Sequence, residues 1–411
     1  MKASDLLFLT TLLSLPIQLN KFFWPQFSFV FGIPQDLLAP AVYLSDVLIV
    51  FYVLVFIGEF IFKKGSRDKL VGFYKRQKIF ILAAIAFNLY LLANALFVSD
   101  QPLLSLWFSS KVFEFCLFAT FAQFTLSKNK VFNLSLTVLA VSIFWQSGLM
   151  LLQFTLQRSI GLWFLGERSF SVDTPSIAHV YIFGRQLLRP YGTFPHPNVA
   201  AAFFVVGFII LSARQRSRGT LNIFASVVSL LSVFVTFSKG AAAALFASLV
   251  LTLKKPFYLI LVFFLAAFSA FIFFKNLPEA QVVSIAERLV LLQAAVELIF
   301  KNPLFGVGSA NFVPALSAFN LFSIADVRLL VPVHNVFLLI FAEEGFIGLF
   351  LFLILLWAVL KNISSRWQIA LVFALIIFLT VDHFVWTLQQ GRFLFWLSVA
   401  YILRSPKGLP A

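Results

Sequence analysis

Cysteine and charged residues are scarce in this sequence, and both scarcities limit the classes of protein to which it can belong. Cys116 is the single cysteine among 411 residues and lies in an apolar run, so the chain has neither a disulfide framework nor a thiolate metal site. Only 11% of the residues are charged, whereas soluble domains contain about a quarter. The composition therefore argues against an ordinary soluble domain.

Motifs for nucleotide and metal chemistry are also missing. The sequence has no Walker A motif, no GxGxxG motif that opens a helix after a strand, and no cytoplasmic domain that could hold a nucleotide. A zinc site of His179, His196 and His334 is conceivable, but no HExxH motif or ligand spacing supports it. We predict no metal and no other cofactor.

Apolar runs dominate the sequence, which is 61% hydrophobic with a mean hydropathy of +0.98. Many runs reach about 18 to 25 residues, enough to cross a hydrocarbon core of roughly 30 Å. We predict an all-α integral membrane protein with about twelve transmembrane helices, and the pattern also allows ten or eleven. The predicted spans are residues 5–22, 40–62, 79–97, 103–126, 131–155, 197–213, 221–237, 241–253, 256–274, 333–360, 368–386 and 393–404.

Two long outer loops divide these spans into three groups. The predicted order is spans 1–5 in residues 1–155, a first outer loop in 156–196, spans 6–9 in 197–274, a large outer loop with an amphipathic helix in 275–332, and spans 10–12 with a cytoplasmic tail in 333–411. Connections are usually short, and long loops tend to be functional or disordered. Trp163 and Phe312 are among several aromatic residues in these loops, which argue against disorder.

Basic residues set the predicted orientation. The net charge of +15 could indicate a nucleic-acid partner, but the lysines and arginines occupy short loops between apolar runs, which is typical of a topology signal. With the N-terminus inside, 19 of the 31 basic residues face the cytoplasm, 11 face outward although the outer loops are longer, and Lys111 lies within a span. We predict cytoplasmic N- and C-termini and no nucleic-acid partner.

Arginine is enriched on the outer side, where seven of the eleven basic residues are arginines, against seven of nineteen inside. Arginine binds phosphate in a bidentate manner, whereas lysine suffices for topology. Arg189 precedes Pro190 in RPYGTFPHPN, and proline forces it toward an extended conformation. Asn198 in the same stretch can cap the following span. Outer arginines that only contact lipid headgroups or loop carboxylates, and a purely structural turn, remain alternative interpretations.

Arg288 begins the helical run ERLVLLQAAVELIFKNP, which Asn302–Pro303 ends. At 100° per residue Arg288 lies off the polar stripe of this helix, on the side of Leu292 and Val296. A solvated arginine would join the polar stripe. We therefore predict that Arg288 points into a cavity shared with the spans.

The stretch PVHNVFLLIFAEEG places His334 at the outer end of the tenth span. An imidazole with a pKa near 6.5 can accept a proton at neutral pH, although a histidine bonded only to a backbone carbonyl is the alternative. Gly345 and Gly348 follow near the same face and would let a neighbouring helix approach.

Six further residues receive weaker predictions. Glu343 and Glu344 lie roughly 14 Å below His334, so we interpret them as structural groups paired with Lys111 or with polar groups of neighbouring spans. Lys239 at an outer turn, the pair Asp382–His383 and Asp46 are minor candidates for a direct role. Ionisable residues in apolar segments are often functional.

Four motifs together resemble the bacterial O-antigen ligase and O-antigen polymerase superfamily. His-Asn, nine residues, Gly, two residues and Gly in HNVFLLIFAEEGFIG is similar to the signature of that superfamily. ERLVLLQAAVELIFKNPLFGVGSANF resembles the outer-loop helix and Gly-rich exit that precede it, and RPYGTFPHPNVAAAF and TFSKGAAAALF resemble two upstream blocks. The ordered set covers roughly residues 185–360, and the first five spans match only in hydropathy.

The resemblance implies a monomeric multi-span glycosyltransferase of the bacterial inner membrane with its active site in the periplasm. It would transfer a glycan from an undecaprenyl-diphosphate carrier to lipid A core (ligase) or to a second carrier-linked glycan (polymerase), and the sequence leaves this choice open. Carried over, Arg189 and Arg288 would bind the diphosphate and His334 would be the catalytic base. Asn335, Gly345, Gly348, His196 and Asn198 would support them. Lys239, where many members have arginine, is the departure from the pattern.

Physical reasoning about the residues agrees with this implication. Fixed arginines stabilise charge that develops on a leaving phosphate, so no metal is needed, and direct displacement would invert the anomeric centre. The alternative from another class is a transporter or flippase for a lipid-linked or small anionic substrate. Transporters usually place polar groups at the membrane midplane, whereas the candidates here cluster at one surface. A non-catalytic scaffold would leave the outer arginine bias unexplained.

Overall fold

The computed structural model describes residues 1–62, 66–182, 184–213, 219–252, 279–317 and 330–404. These ranges contain fourteen α-helices. They are α1 (Ala3–Leu13), α2 (Leu44–Phe62), α3 (Ser66–Phe97), α4 (Pro102–Leu126), α5 (Asn129–Leu156), α6 (Pro197–Ser212), α7 (Thr220–Val235), α8 (Lys239–Thr252), α9 (Glu279–Lys301), α10 (Phe312–Leu316), α11 (Val336–Leu360), α12 (Arg366–Val381), α13 (Phe384–Thr387) and α14 (Gln389–Leu403).

The predicted helical membrane architecture agrees with these helices. Eleven of the twelve predicted spans overlap a helix, and the ninth, residues 256–274, lies outside the described residues. Helices α2, α4, α5 and α11, together with Val71–Phe97 of α3, are long and apolar enough to cross a membrane, and five shorter apolar helices accompany them. The number of helices that cross the membrane remains a prediction.

Short antiparallel hairpins, which the all-α prediction did not include, shape the loops. In the segment between α1 and α2, β1 (Asn20–Phe22) pairs with β4 (Ala41–Tyr43), and β2 (Phe29–Val30) pairs with β3 (Ile33–Pro34). In the loop after α5, β5 (His179–Ile182) pairs with β6 (Arg185–Leu188). This last hairpin ends one residue before Arg189 and thereby fixes where that side chain leaves the loop.

Helix α14 lies at the centre of the bundle. All of its 15 residues are buried, and it packs along α4 and also contacts α6 and α12. A helix that is buried all round must be surrounded by other elements, because an exposed helix keeps a polar or lipid-facing side. The first turn of α14 contains Gln389, Gln390 and Arg392, so the central helix brings these polar side chains to one end of the bundle.

Helix α11 is broken at Gly345, whose backbone has a φ of 67° and a ψ of −170°. The segment after α9 fills the break. Val307 and Gly308 donate their backbone N–H groups to the carbonyls of Ala342 and Glu343, at 3.0 and 2.8 Å. In return, the Phe346 and Ile347 N–H groups donate to the carbonyls of Pro303 and Leu304, at 2.8 and 3.3 Å. The break therefore leaves no lost hydrogen bond at these positions, because the loop replaces the helical partners.

Gly345 and Gly348 were both predicted to let a neighbouring helix approach, and only Gly348 does so. A Cβ atom at Gly345 would lie 2.3 Å from the Leu304 carbonyl, so this glycine admits a loop segment rather than a neighbouring helix. At Gly348, a Cβ atom would lie 3.0 Å from the Tyr90 ring of α3, which is the close helix approach that we predicted. The prediction for Gly345 was wrong because the pattern of small residues does not distinguish a helix from an extended segment.

The two glutamates of α11 are structural, but their predicted pairing with Lys111 is wrong. Glu343 accepts a hydrogen bond from the Phe312 N–H at 3.1 Å, and Glu344 accepts one from the Ser309 hydroxyl. Both carboxyl groups therefore hold the segment that leads from α9 to α10. Lys111 instead pairs with Asp46 and, at 3.4 Å, with Glu114. Buried charges need partners, but the sequence alone did not say which carboxylate each lysine would find.

We expect Gly345→Ala to lower the melting temperature of the protein by several degrees. A side chain at a positive φ costs about 1–2 kcal/mol, and the added Cβ would overlap the Leu304 carbonyl. Thermal unfolding in detergent would measure the change. Gly148→Ala is the matched control, because it lies within α5 and no atom lies within 4 Å of its Cβ position. Equal melting temperatures for the two variants would contradict the proposed role of the break.

Candidate functional site

A cavity of about 610 Å³ lies where α4, α6, α11 and α14 begin and where α12 ends. Its lining residues come from the segment between α1 and α2, the first turns of α4, the loop before α6, α9, the segment before α11, and residues 382–392. Residues far apart in the chain therefore meet at one end of the bundle. Five predicted site residues line it, namely Arg189, His196, Asn198, Arg288 and His334.

A chain of hydrogen bonds fixes Arg189 in the cavity wall. Its Nε donates to the carbonyl oxygen of Thr236 at 2.8 Å, and one terminal nitrogen donates to Oδ1 of Asn198 at 2.8 Å. The Asn198 amide nitrogen in turn donates to Oδ2 of Asp382 at 2.9 Å. One asparagine therefore couples the arginine to a buried carboxylate, while the remaining N–H groups of the guanidinium are available to a ligand.

Asn198 does not cap α6 with its side chain, contrary to the prediction. The N-cap is His196, whose Nδ1 accepts a hydrogen bond from the Asn198 backbone N–H at 3.1 Å. The cap position is two residues earlier because Pro197 occupies the first helical position, where its missing N–H costs nothing. Asn335, by contrast, caps α11 by accepting from the Leu338 N–H at 3.0 Å, and thereby fixes the start of the helix next to His334.

His334 and His383 meet just outside the ends of α11 and α12. Their ring centroids are 5.2 Å apart, and the rings are nearly perpendicular at 72°. Nδ1 of His383 forms a hydrogen bond of 2.6 Å with the Thr387 hydroxyl, and the His383 backbone N–H donates to Oδ1 of Asp382 at 2.8 Å. Nδ1 of His334 is buried without a hydrogen-bond partner among the described residues. His334 is therefore placed to bond a ligand.

Burial keeps the histidines of this cavity neutral. Burial, together with the charge of the nearby His383, lowers the pKa of the His334 imidazole to about 4. Burial likewise lowers the pKa of His383, and burial beside Arg189 lowers the pKa of His196 to about 3. Each of these groups is thus unprotonated at neutral pH and can accept a proton from a ligand.

The charged groups leave the cavity with a positive balance. Burial lowers the pKa of Arg189 to about 10, so its guanidinium stays protonated at neutral pH. Burial alone would raise the pKa of the Asp382 carboxyl, but the three histidines and the Asn198 amide outweigh it and lower this pKa. Arg288 lines the cavity with an exposed side chain. Five basic residues line the cavity against two carboxylates, which favours an anionic ligand; the basic residues are Lys111, Arg168, Arg189, Arg288 and Arg392, and the carboxylates are Asp36 and Asp382.

Lys239 stands beside the cavity rather than in its lining. It is the exposed first residue of α8, and its charge interacts with those of Arg288 and Arg189. Lys239 therefore adds to the positive potential that an anionic ligand would meet near the two arginines. Its direct contact with a ligand remains a prediction.

Residues 199–353 match the O-antigen ligase family. The family resemblance predicted from the sequence is thereby confirmed for this part of the chain. Among curated proteins, no match was found. The matched region runs from the start of α6 into α11 and contains Lys239, Arg288, His334 and Asn335. Arg189, His196 and Asn198 precede it, and Asp382 and His383 follow it, so the cavity combines residues from within and outside the part that matches the O-antigen ligase family.

Asp382 and His383, which the sequence presented only as minor candidates, belong to the centre of the cavity. Sequence reasoning did not bring out Thr387, Gln389 and Gln390 at all. The signal was the stretch VDHFVWTLQQGR, residues 381–392, because it interrupts two apolar helices with polar side chains. Only the three-dimensional structure shows that this stretch lies against His334.

Three of these side chains could also hold a metal ion. His334, Asp382 and His383 each offer one ligand atom, and these atoms lie within 4.8 Å of one another. The set differs from the conceivable set of His179, His196 and His334, because His179 Nε2 bonds to the carbonyl oxygen of Val172 instead, at 2.8 Å. Imidazole and carboxylate ligands suit zinc and other first-row metals. An activity assay of this site should therefore be repeated with a metal chelator.

We expect the His334 imidazole to stay neutral from pH 7 down to about pH 5 and to become protonated near pH 4, since burial beside His383 and Arg288 disfavours its charge. Nitrogen-15 NMR of histidine-labelled protein would follow the protonation of the four histidines. The His334→Ala variant assigns the signal by its loss. Half-protonation of His334 at pH 6.5 would show that the site is far more solvated than its geometry implies.

Proposed function

We propose that this protein transfers a glycan from an undecaprenyl-diphosphate carrier to a lipid or glycan acceptor at the periplasmic face of the bacterial inner membrane. The observation that supports the proposal most is that Arg189, Arg288 and His334 line one cavity at one end of an apolar helix bundle. The match to the O-antigen ligase family adds independent support for glycan transfer of this kind. Both termini would be cytoplasmic, and the protein would act as a monomer.

The arginines would bind the diphosphate of the donor. Arg189 is held by Thr236 and Asn198, so its free N–H groups have a fixed direction before a ligand arrives. Arg288 approaches the same cavity from α9, and Lys239 adds its charge nearby. As the sugar–phosphate bond breaks, negative charge grows on the leaving diphosphate. Guanidinium groups that are already in place stabilise this charge without reorganisation.

His334 would act as the general base. Its neutral imidazole has a buried Nδ1 without a partner among the described residues, and an acceptor hydroxyl could donate to it. The acceptor oxygen would attack the anomeric carbon as its proton passes to His334 and the bond to the diphosphate breaks. The negative charge of Asp382 would stabilise the resulting imidazolium, since it favours the protonated form of His334. Direct displacement inverts the anomeric centre and requires no metal.

A transporter or flippase is the second candidate, and the break in α11 is the observation that favours it. Broken helices often line substrate sites near the membrane midplane of transporters. Here, however, residues 303–308 pair with the backbone exposed by the break, and Glu343 and Glu344 bond to residues of the same loop. The cavity with the arginines lies at the end of the bundle instead. The arrangement therefore favours an enzyme.

Glycan transfer by the purified protein tests the function and the role of His334. Undecaprenyl-diphosphate-linked glycan serves as donor, and lipid A core and a second carrier-linked glycan are offered as acceptors in parallel, so that ligase and polymerase activities are separated. We expect His334→Ala to reduce kcat by about 10²–10⁴-fold, as loss of a general base does. His179→Ala is the matched control, because His179 lies outside the cavity lining and its ring bonds to the carbonyl oxygen of Val172.

The same assay is run in EDTA, because the proposal requires no divalent cation. Activity that disappears in EDTA and returns only with an added divalent cation would instead assign His334, Asp382 and His383 to a metal site. Transfer by His334→Ala at the wild-type rate would contradict its role as the base. Movement of the donor across a liposome membrane without transfer would favour the flippase.

Substitution of the arginines tests the diphosphate site. We expect Arg288→Ala to raise the KM for the donor about tenfold or more, because a charge-assisted hydrogen bond contributes roughly 1.5–3 kcal/mol. Arg189→Lys keeps the charge but loses the bidentate geometry, so we expect it to impair binding as well. Arg185→Ala, an exposed arginine of β6, is the control. Unchanged donor KM values in both site variants would rule out the diphosphate clamp.

A further inference from the structure

A second group of polar side chains lines the same cavity, and the proposed diphosphate transfer does not use it. The group comprises Gln389 and Gln390 at the start of α14, Trp107 in α4, and Tyr43 beside α2. Gln390 is only 2% exposed, and neither its amide nitrogen nor its amide oxygen has a hydrogen-bond partner among the described residues. The two glutamines of this group are therefore buried and have unused hydrogen-bonding capacity.

An unpartnered buried amide is costly, because folding removes it from water without a replacement bond. Gln390 lines the cavity, so a ligand there can supply the missing partners. Gln389 also has an unpartnered amide atom, but only one. Its amide nitrogen donates to the Ser45 hydroxyl at 3.0 Å and to Asp46, whereas its amide oxygen is buried without a partner in the described part of the chain. Two adjacent residues thus offer acceptors and donors to the cavity.

The position of these amides is fixed by the fold. All residues of α14 are buried, so the first turn of this helix cannot move without displacing α4, which packs along it. Asp46, which orients Gln389, is itself held by Lys111. Preformed sites of this type bind small molecules with a few well-placed polar groups.

Neutral amides in a cavity that is also lined by an aromatic ring suit a polyhydroxylated ring better than a phosphate. An amide donates through its nitrogen and accepts through its oxygen, and a sugar hydroxyl does both. Trp107 is half-buried in the cavity lining and provides an apolar ring surface, with the Lys111 ammonium 4.8 Å from its centroid. A phosphate would instead be drawn to the arginines.

We propose that Gln389, Gln390 and Trp107 form a glycan-binding subsite that holds a sugar ring of a substrate through its hydroxyl groups. This inference rests on the proposed glycan transfer, and it adds the residues that recognise the sugar. The sugar belongs either to the donor or to the acceptor, since both carry the same chemistry. A site that pairs with hydroxyl groups discriminates strongly against analogues that lack them.

The test is Gln390→Leu, which keeps the size of the side chain and removes both hydrogen-bonding atoms. We expect the KM for one glycan substrate to rise about tenfold, because paired hydrogen bonds to a buried site are lost. Binding of undecaprenyl diphosphate without a glycan should stay unchanged, since the arginines are intact. Trp107→Phe, which keeps an aromatic ring, should weaken the same substrate less than Trp107→Leu.

Gln123→Leu is the matched control. Gln123 in α4 is 1% exposed and has no partner for either amide atom among the described residues, but it lies outside the cavity lining. Both glutamine variants should retain or exceed the wild-type melting temperature, and only Gln390→Leu should change KM. A rise in the donor KM alone assigns the subsite to the donor sugar, and a rise in the acceptor KM alone assigns it to the acceptor.

Three outcomes distinguish the failure of this inference from the failure of the proposed function. If the wild type transfers glycan and Gln390→Leu has unchanged KM values for both substrates, the subsite is wrong and glycan transfer stands. If Gln390→Leu weakens the binding of bare undecaprenyl diphosphate to the same extent, the residue acts on the carrier, and the sugar subsite is wrong. A wild type without transfer activity overturns both.

Discussion

The exchange of backbone hydrogen bonds between the broken α11 and residues 303–308 is the constraint on which the rest of the cavity depends. Helix α9 carries Arg288, and α11 begins two residues after His334. The break at Gly345 ties the end of α9 to the middle of α11 through four backbone bonds, and Glu343 and Glu344 add side-chain bonds to the same segment. Helix α9 also packs directly on α11, with Leu291 and Leu298 in the hydrophobic core. The backbone link and this packing together fix Arg288 relative to His334.

The polar groups of the cavity are likewise held in place by a few shared hydrogen bonds. Asn198 joins Arg189 to Asp382, and Asp382 accepts from the backbone of His383, so one buried carboxylate orients groups on three segments. Buried charges are tolerated only when they are paired or hydrogen-bonded. Burial also explains why the histidines stay neutral here, because removal from water disfavours their charged forms more than Asp382 favours them, and so lowers the pKa of each imidazole. The buried position of these groups therefore has two consequences: Asp382 is held by hydrogen bonds, and the His334 imidazole is free to accept a proton.

Sequence reasoning predicted the helical class, eleven helix positions and the residues with strong local context. Arg189 before Pro190 and Arg288 off the polar stripe were identified because backbone and helix geometry act over a few residues. The misses concern long-range partners. Lys111 bonds to Asp46 rather than to Glu343 or Glu344, and Gly345 admits a loop rather than a helix. Asp382 and His383 line the cavity next to His334 because of where α12 ends relative to α11. A local sequence pattern does not predict how far apart two helix ends lie.

The complete burial of α14 has a consequence for how the molecule is assembled. This helix follows its neighbours α4, α6 and α12 in the chain, yet it occupies the space between them. Those helices are synthesised first, so the space that α14 fills among them can be filled only after α14 has been made. The cavity wall that includes Gln389 and Gln390 is then completed in the final step of packing. Before that step the centre of the bundle is unfilled, and the cavity lacks the part of its wall that Gln389 and Gln390 supply.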